Sequence, residues 1–269
     1  MGDEAGALAL VGPGRAGVAV AAALVTAGWR VVGVAGRSPD APSTRAAGVS
    51  LEAPPVPVAQ AAAGADVVLV ATPDAAIAQV VAAIAPAVSA STLVVHLSGS
   101  LGLDVLAPVA AAGGRAGALH PLQSLPSSGL GLSRLRGSWC AVAGDPQVYD
   151  LAAAMGMHPM ALADADRVRY HAAACVASNH LVALLAQVER LAPVPLEAYL
   201  PLVRATVENV AELGPAGALT GPVARGDVET VRAHLAVLPE KERDAYRALA
   251  REAVHLAGNA RSAMLEVLA

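Results

Sequence analysis

Leu8-Ala-Leu-Val-Gly-Pro-Gly-Arg-Ala-Gly17, an apolar stretch, then Arg30-Val-Val-Gly-Val-Ala-Gly-Arg-Ser38: this succession decides the fold. Gly12, Gly14 and Gly17 form a G-x-G-x-x-G turn between a short apolar run and a helical pattern. Leu8–Val11 reads as a strand, Ala16–Ala27 as a helix, Gly28 as the residue just past its end, and Arg30–Ala35 as the next strand. A strand–turn–helix unit of this kind cradles a pyrophosphate. Gly12 permits the tight turn, Gly14 lets the backbone approach the phosphates, and Gly17 lets the helix pack closely on the sheet. Pro13, Arg15 and Ala16 complete the expected cofactor-binding turn. The end of the second strand then departs from the NAD pattern. Gly36-Arg37-Ser38 stands where an Asp or Glu would bind the ribose 2′-hydroxyl. A cation and a hydroxyl suit a 2′-phosphate, so Arg37 and Ser38 point to NADP(H).

Composition narrows the function classes. The 269 residues are enough for one large domain or two of ordinary size. Hydrophobic residues make up 55%, but Phe is absent and much of the total is Ala, so the core must be built from Ala, Val and Leu. The formal net charge is −4 with no basic block, which argues against nucleic-acid binding. Ala5–Ala27 is apolar enough to imitate a signal peptide or a membrane span. Asp3 and Glu4 precede it, Arg15 interrupts it, and its glycines and proline fall where the phosphate turn is expected, so neither is expected. Cys140 and Cys175 form no C-x-x-C and read as small buried hydrophobes of a reducing cytoplasm.

Further along, short apolar runs alternate with Ala-rich helical patterns, which argues for a doubly wound parallel sheet. Pro54–Pro57 reads as a loop. Asp66–Ala71 reads as a strand leading into Thr72-Pro73-Asp74, a helix start with Thr72 as N-cap and Pro73 at the first helical position. Thr92–Leu97, Arg115–Leu119, Ser138–Ala143 and Met160–Ala163 are further strands, with a helix from Pro146 to Met155. After Asp164 the pattern is helical throughout: Val168–Leu191, then about Leu196–Leu213, Val228–Leu238 and Lys241–Ala257. The expectation is an α/β Rossmann-type domain over residues 1–163, followed by an all-α domain over 164–269.

Four segments join the glycine turn and Arg37-Ser38: Val-Val-His-Leu-Ser-Gly-Ser (94–100), Leu-His-Pro-Leu-Gln-Ser (119–124), Tyr-His-Ala-Ala-Ala-Cys-Val-Ala-Ser-Asn-His (170–180) and Leu-Thr-Gly-Pro-Val-Ala-Arg-Gly-Asp (219–227). With them the chain resembles the 6-phosphogluconate-dehydrogenase-like superfamily, and within it the branch in which a Rossmann-like domain precedes a DUF2520 domain. The resemblance implies a homodimeric NADP-dependent oxidoreductase whose helical domains interlock. It also implies, through members linked to pantothenate synthesis, a ketopantoate-reductase-like activity. Several enzymes of the superfamily use a Lys in a Lys-x-x-x-Asn arrangement on the first long helix of the second domain. Asn179 matches the Asn, but Cys175 stands in the Lys position, and the single lysine, Lys241, lies in a polar run. Another group must therefore supply the proton.

In a doubly wound sheet the ligand lies at the carboxyl ends of the strands. Thr72, Ser98, Ser100 and His120 follow such ends. His120 is the first choice for general acid, because a His titrating near neutrality can protonate the alkoxide formed on reduction. Prephenate dehydrogenases carry a comparable His-Pro motif with a Ser nearby, similar to His120-Pro121 with Ser98. The alternative is a His that caps a turn. His171, Ser178 and Asn179 share a helix face by α-helical count, and Asn179 and His171 are candidates to orient the substrate carbonyl. Arg225 could clamp a carboxylate, with Asp227, Gln123 and Tyr246 as further lining residues. Alternatively Asp227 caps a helix. No metal is expected, because the remaining histidines lack ligand spacing.

The reading is an NADPH-dependent reductase of a small 2-oxo acid in the cytoplasm, acting on a small-molecule carboxylate, with no nucleic-acid or membrane partner. Imine reduction and prephenate-type oxidation are rivals in the same class. A non-catalytic NADP(H)-binding sensor is the rival from another class.

Overall fold

The computed structural model describes residues 5–126, 128–258 and 262–269; Asp3 and Glu4, used above against a signal peptide, lie outside the described residues. The α/β part comprises β1 (Gly6–Val11), α1 (Arg15–Thr26), β2 (Trp29–Ala35), α2 (Pro42–Ser50), β3 (Val67–Val70), α3 (Asp74–Ile84) and β4 (Leu93–His96). It continues with α4 (Ala107–Ala111), β5 (Arg115–Pro121), α5 (Ser128–Leu135), β6 (Trp139–Gly144), α6 (Gln147–Ala154) and β7 (His158–Ala161). Among the described residues the strands form one seven-stranded sheet in the order β2-β1-β3-β4-β5-β6-β7. The chain reverses direction across the sheet between β1 and β3, so the glycine turn after β1 sits at the switch point where such sheets bind ligands.

The sheet is parallel except at one pair. Pro121 of β5 pairs with Cys140 of β6 in an antiparallel ladder. The intervening segment returns β6 to the edge where β5 ends, and its helix α5 packs on α1, with Gly131 close against Ala19. Alternation along the strands divides the core between two faces. Leu8 and Leu10 join Val18, Leu24 and Leu151 on one face. Ala9 and Val11 join Ile77, Val81, Ile84 and Val109 on the other. A core without Phe closes because Ala, Val and Leu occupy both layers.

Two strand-end expectations change in detail. Pro54–Pro57 is not wholly a loop, since Pro55 bridges to Val34 at the sheet edge. Thr72 is not the N-cap of α3. Pro73 holds that position with ψ 145 and no side-chain cap, so the helix begins at Asp74.

By its internal packing the chain divides into a unit over Met1–Ser178 and a second over Asn179–Ala269. The first takes in α7 (Arg167–Cys175), beyond residue 163. The expected single helix over Val168–Leu191 contains a π turn at Val176–His180, which precedes α8 (Leu181–Leu191). Asp164–Leu191 is long and apolar enough, by length and composition alone, to cross a membrane; Arg167, Arg169 and Arg190 lie within it.

The second unit holds α8, α9 (Leu200–Ala218), α10 (Pro222–Arg225), α11 (Val228–Val237), α12 (Glu240–Leu256) and α13 (Ser262–Val267). Its core is Val231, Leu235, Ala250, Val254, Met264 and Leu268. Arg190 forks onto the Glu242 carboxylate at 2.7 and 3.0 Å, and this bond holds the carboxyl below its usual range. Gln187 donates to the Glu242 carbonyl at 3.1 Å, so α8 is tied to α12 twice. Neither α8 nor α9 buries any residue.

Candidate active site

Register lines up the strand ends. Val11, Val70, His96 and Ala118 are successive partners across β1, β3, β4 and β5, and Val11 also pairs with Ala35 of β2. The segments beginning at Gly12, Gly36, Ala71 and Leu97 therefore leave the sheet along one edge, while β5 runs on through Leu119 to Pro121 because β6 pairs with it there, so His120 lies within its strand and not after it as expected.

At the β1 end the three glycines have different surroundings. Gly12 has φ +94, and a Cβ there would lie 2.5 Å from the Thr72 backbone nitrogen. A Cβ on Gly17 would lie 2.6 Å from the Gly12 oxygen and 2.7 Å from the Ala71 Cβ. Both positions exclude a side chain, one by conformation and both by backbone approach. Gly14 differs: nothing lies within 4 Å of its Cβ position. Gly14 caps α1 without a side-chain hydrogen bond, so the helix start is open to an acceptor from outside. Arg15 turns away, donating to the Pro126 oxygen at 3.3 Å, and Ala16 is half-buried.

At the β2 end Gly36 packs against Pro13 and has no room for a side chain, because Thr44 Oγ1 fills the Cβ position. An acidic residue at 36 is thereby excluded. Arg37 and Ser38 are exposed, and Arg37 has no ion-pair partner among the described residues. Thr72, beside Gly12, has a buried hydroxyl with no hydrogen-bond partner, and Pro73 is exposed.

The β4 and β5 ends carry a side-chain cluster. Ser98 is buried, and its Oγ accepts from the backbone N–H of Ser100 at 3.2 Å and of Leu101 at 3.0 Å. Ser98 therefore shapes this turn. Ser100 donates to Asp74 at 2.6 Å, joining the turn to the start of α3. Between the two serines, Gly99 lies under two rings: its Cβ position is 2.7 Å from His171 Cδ2 and 2.9 Å from His120 Nε2. The two histidine rings meet edge to face at 5.9 Å. His120 Nδ1 is 2.9 Å from the Tyr170 hydroxyl.

Below them lies Arg167, fully buried. Its Nε donates to Asp164 at 3.1 Å, and Asp164 in turn accepts from the Leu103 N–H at 2.9 Å. The two terminal guanidinium nitrogens of Arg167 and both ring nitrogens of His96 are buried without partners. Burial, with the neighbouring His171 and the Arg167 charge, lowers the His120 pKa to about 4. Burial and Arg167 lower His96 to about 4 as well. Burial raises Tyr170 to about 12.

These values revise the acid expected of His120. At neutral pH its ring is uncharged, because solvation of the imidazolium is lost and a buried guanidinium stands nearby. Tyr170, Arg167, Asp164 and Gly99 escaped the sequence reasoning. The available signal was the run Arg167-x-x-Tyr170-His171, whose spacing puts all three on adjoining turns of one helix.

The other expected site residues have separate surroundings. Gln123 accepts from the Ser124 N–H at 2.8 Å and donates to the Arg134 oxygen on α5 at 3.4 Å. Ser178 and Asn179 lie on the π turn, which breaks the α-helical count that put them on the face of His171. Asn179 and Arg225 are exposed in the second unit. Asp227 caps α11, accepting from the Thr230 N–H at 3.1 Å and hydroxyl at 2.7 Å, which lowers its pKa. Tyr246 is 2.8 Å from His234 Nδ1. Among the described residues no three His, Cys, Asp or Glu are grouped to hold a metal, and Cys140 and Cys175 are free thiols.

Residues 5–121 match the family model of the Rossmann-like domain, and residues 139–253 match that of the domain of unknown function DUF2520. A search of curated proteins by sequence finds no match. Among solved structures, a Bacteroides fragilis protein provisionally named an NADP oxidoreductase is 25% identical, with a TM-score of 0.78 over 94% of this chain and 99% of its own. A Plasmodium falciparum pyrroline carboxylate reductase with NADP bound is 14% identical, with a TM-score of 0.60 over the whole of both chains. An Aspergillus terreus reductive aminase in complex with NADPH is 16% identical, with a TM-score of 0.61 over 97% of this chain and 91% of its own.

Proposed function

We propose that this chain, which joins a Rossmann-like domain to a DUF2520 domain, is an NADP(H)-dependent oxidoreductase that reduces a small 2-oxo acid. The observation that carries the reading is the shared sheet edge. It holds a glycine turn with open space at Gly14 and, two and three strands away, a histidine pair around Gly99. The name of the 25% identical Bacteroides fragilis protein supports the cofactor class.

The residues present fit the cofactor. Gly12, Pro13, Gly14, Arg15, Ala16 and Gly17 would hold the pyrophosphate through the turn and the start of α1, and Arg37 with Ser38 the 2′-phosphate. Thr72 brings an unpartnered hydroxyl to the same turn. When bound, NADPH supplies a hydride to the substrate's carbonyl carbon. The chain's part is to meet the oxygen that gains charge. Neutral His120 offers it a ring N–H, and the His171 ring stands edge to face beside it over Gly99. Burial of the ring, with His171 and Arg167 beside it, keeps His120 uncharged.

A second reading is imine reduction, favoured by the pyrroline carboxylate reductase and reductive aminase among the similar folds. A second copy of the chain is the proposed partner. Val182, Leu202, Val207 and Leu213 are each more than half exposed on helices that bury none of their residues. Following nicotinamide absorbance with a panel of 2-oxo acids, ketopantoate included, and cyclic imines decides between the substrates. Tight NADPH binding with no oxidation by any of them would instead favour a sensor.

A further inference from the structure

The side-chain cluster poses a proton problem. The single lysine, Lys241, lies on α12 of the second unit, and His120 is uncharged at neutral pH. We propose that Tyr170 donates its hydroxyl proton in a hydrogen bond to His120 Nδ1, fixing the ring as its Nε2–H tautomer, so that the pair forms a relay to the substrate oxygen. The proposal rests on the reductase reading for its last step only.

The geometry places each atom. Tyr170 Oη and His120 Nδ1 are 2.9 Å apart, and the rings stand edge to face at 5.5 Å and 88°. A neutral imidazole carries one N–H and one lone pair, and the bond made at one nitrogen selects the other's role. A phenol is the more acidic donor and an imidazole nitrogen the stronger acceptor, so the favoured bond runs from the hydroxyl to Nδ1. Tyr170, raised to about 12, keeps its proton at every working pH. Nε2 then carries the hydrogen and has no partner among the described residues; the ring packs so closely on Gly99 that a Cβ there would lie 2.9 Å from Nε2, so only glycine lets the ring sit here.

The step balances. As the substrate carbonyl becomes an alkoxide, the Nε2–H bond breaks and the alkoxide O–H bond forms. Together with this, the Tyr170 O–H bond breaks and the Nδ1–H bond forms. The imidazole ends neutral as its other tautomer, and the tyrosinate regains a proton from solvent. An alkoxide is more basic than this phenolate, so the net transfer runs downhill. No imidazolium is required. Tyr170 acts through His120 and is a positioning residue that also holds the proton. The titratable and charged groups facing His120 are His171 and Arg167 on α7, Asp74 on α3 and His96 on β4. Cys140 on β6 and Arg167 face Tyr170.

The test is Tyr170→Phe, which removes one oxygen and leaves the ring. Nitrogen-detected NMR of ring-labelled wild-type protein should show His120 as the Nε2–H tautomer, and Y170F should show a mixture. The variant should lose about 10–100-fold in kcat with NADPH affinity unchanged. Its kcat should also fall as pH rises from about 6 to about 9, where wild type stays flat. An Nδ1–H tautomer in wild type, an unaltered tautomer in Y170F, or an unaltered kcat would overturn the relay. Absence of turnover in wild type, beside the expected tautomer and its loss in Y170F, would sink the reductase reading while the hydrogen-bond assignment stands.

Discussion

The glycine turn and the histidine cluster occupy the same sheet edge but are specified differently. Gly12–Gly17 is made of backbone: its shape follows from a positive φ at Gly12 and from backbone pressed against Gly12 and Gly17. The cluster is made of side chains drawn from β4, β5 and α7, and nothing local holds His120 beside Tyr170 and His171. The first is written in six residues in a row, with Ala71 and Thr72 of the neighbouring strand end pressing on it. The second exists only after the fold has formed. Substitutions should therefore fail in different ways in the two regions.

The largest effect belongs to the backbone region. Gly12→Ala puts a methyl 2.5 Å from the Thr72 nitrogen at a φ of +94, and backbone cannot step aside. The expected destabilisation is about 3 kcal/mol or more, with NADPH binding lost. Gly14→Ala sharpens the contrast, because its methyl meets nothing. Its stability should stay within about 1 kcal/mol of wild type while NADPH affinity falls about tenfold or more. Thermal unfolding and a binding titration on the pair measure both. Equal loss of stability in the two variants would contradict the division of labour among the glycines.

The side-chain region should break the other way. His120→Ala removes the ring that faces Gly99 and should lower kcat by about 10²–10⁴ with NADPH affinity intact. Wild-type turnover in that variant would remove His120 from the chemistry. Arg37→Ala comes next. Losing a charge-assisted contact to a 2′-phosphate should weaken NADPH by about 10–100-fold and leave NADH little changed. Equal weakening of both nucleotides would contradict the 2′-phosphate assignment.

The same difference explains what could be read in advance. The turn, the strands and the helix after β1 were legible because glycine spacing and apolar periodicity are local. The doubly wound sheet was legible too, yet the antiparallel β6 was not, since strand direction depends on where the segment carrying α5 returns the chain. Asp227 had two readings, and the helix cap to Thr230 is the one formed, with the hydroxyl three residues on as its local sign. His120 was legible as a candidate because it stands near a strand's carboxyl end, although β5 runs on through it to Pro121. Its charge state was not, since burial and a guanidinium from another element set it. Tyr170 was invisible as a partner for the same reason: fifty residues separate it from His120.

The smallest expected effect concerns that charge state and tests whether the cluster is as dry as its geometry. His96 and His120 have pKa values of about 4 in the folded protein, against 6.5 for an unstrained histidine. Between those values the unfolded chain binds more protons than the folded one, so stability is complete above about pH 6.5 and is lost as pH falls towards 4. Carboxylates held low by their partners, such as Asp227 and Glu242, lose their contribution only from about pH 4.5 downward, which leaves the upper part of the window to the histidines. His96 is fully buried with no side-chain partner for its ring, so replacing it with an apolar side chain removes a titrating group and gives up only its interaction with the Gly102 backbone. His96→Leu should therefore unfold less readily in acid than wild type does, relative to neutral pH, by roughly 1–2 kcal/mol at about pH 5, a few degrees in Tm. Parallel Tm profiles of the two proteins between about pH 5 and 7 would show instead that water reaches His96 and that the histidine cluster is a wet site like the glycine turn.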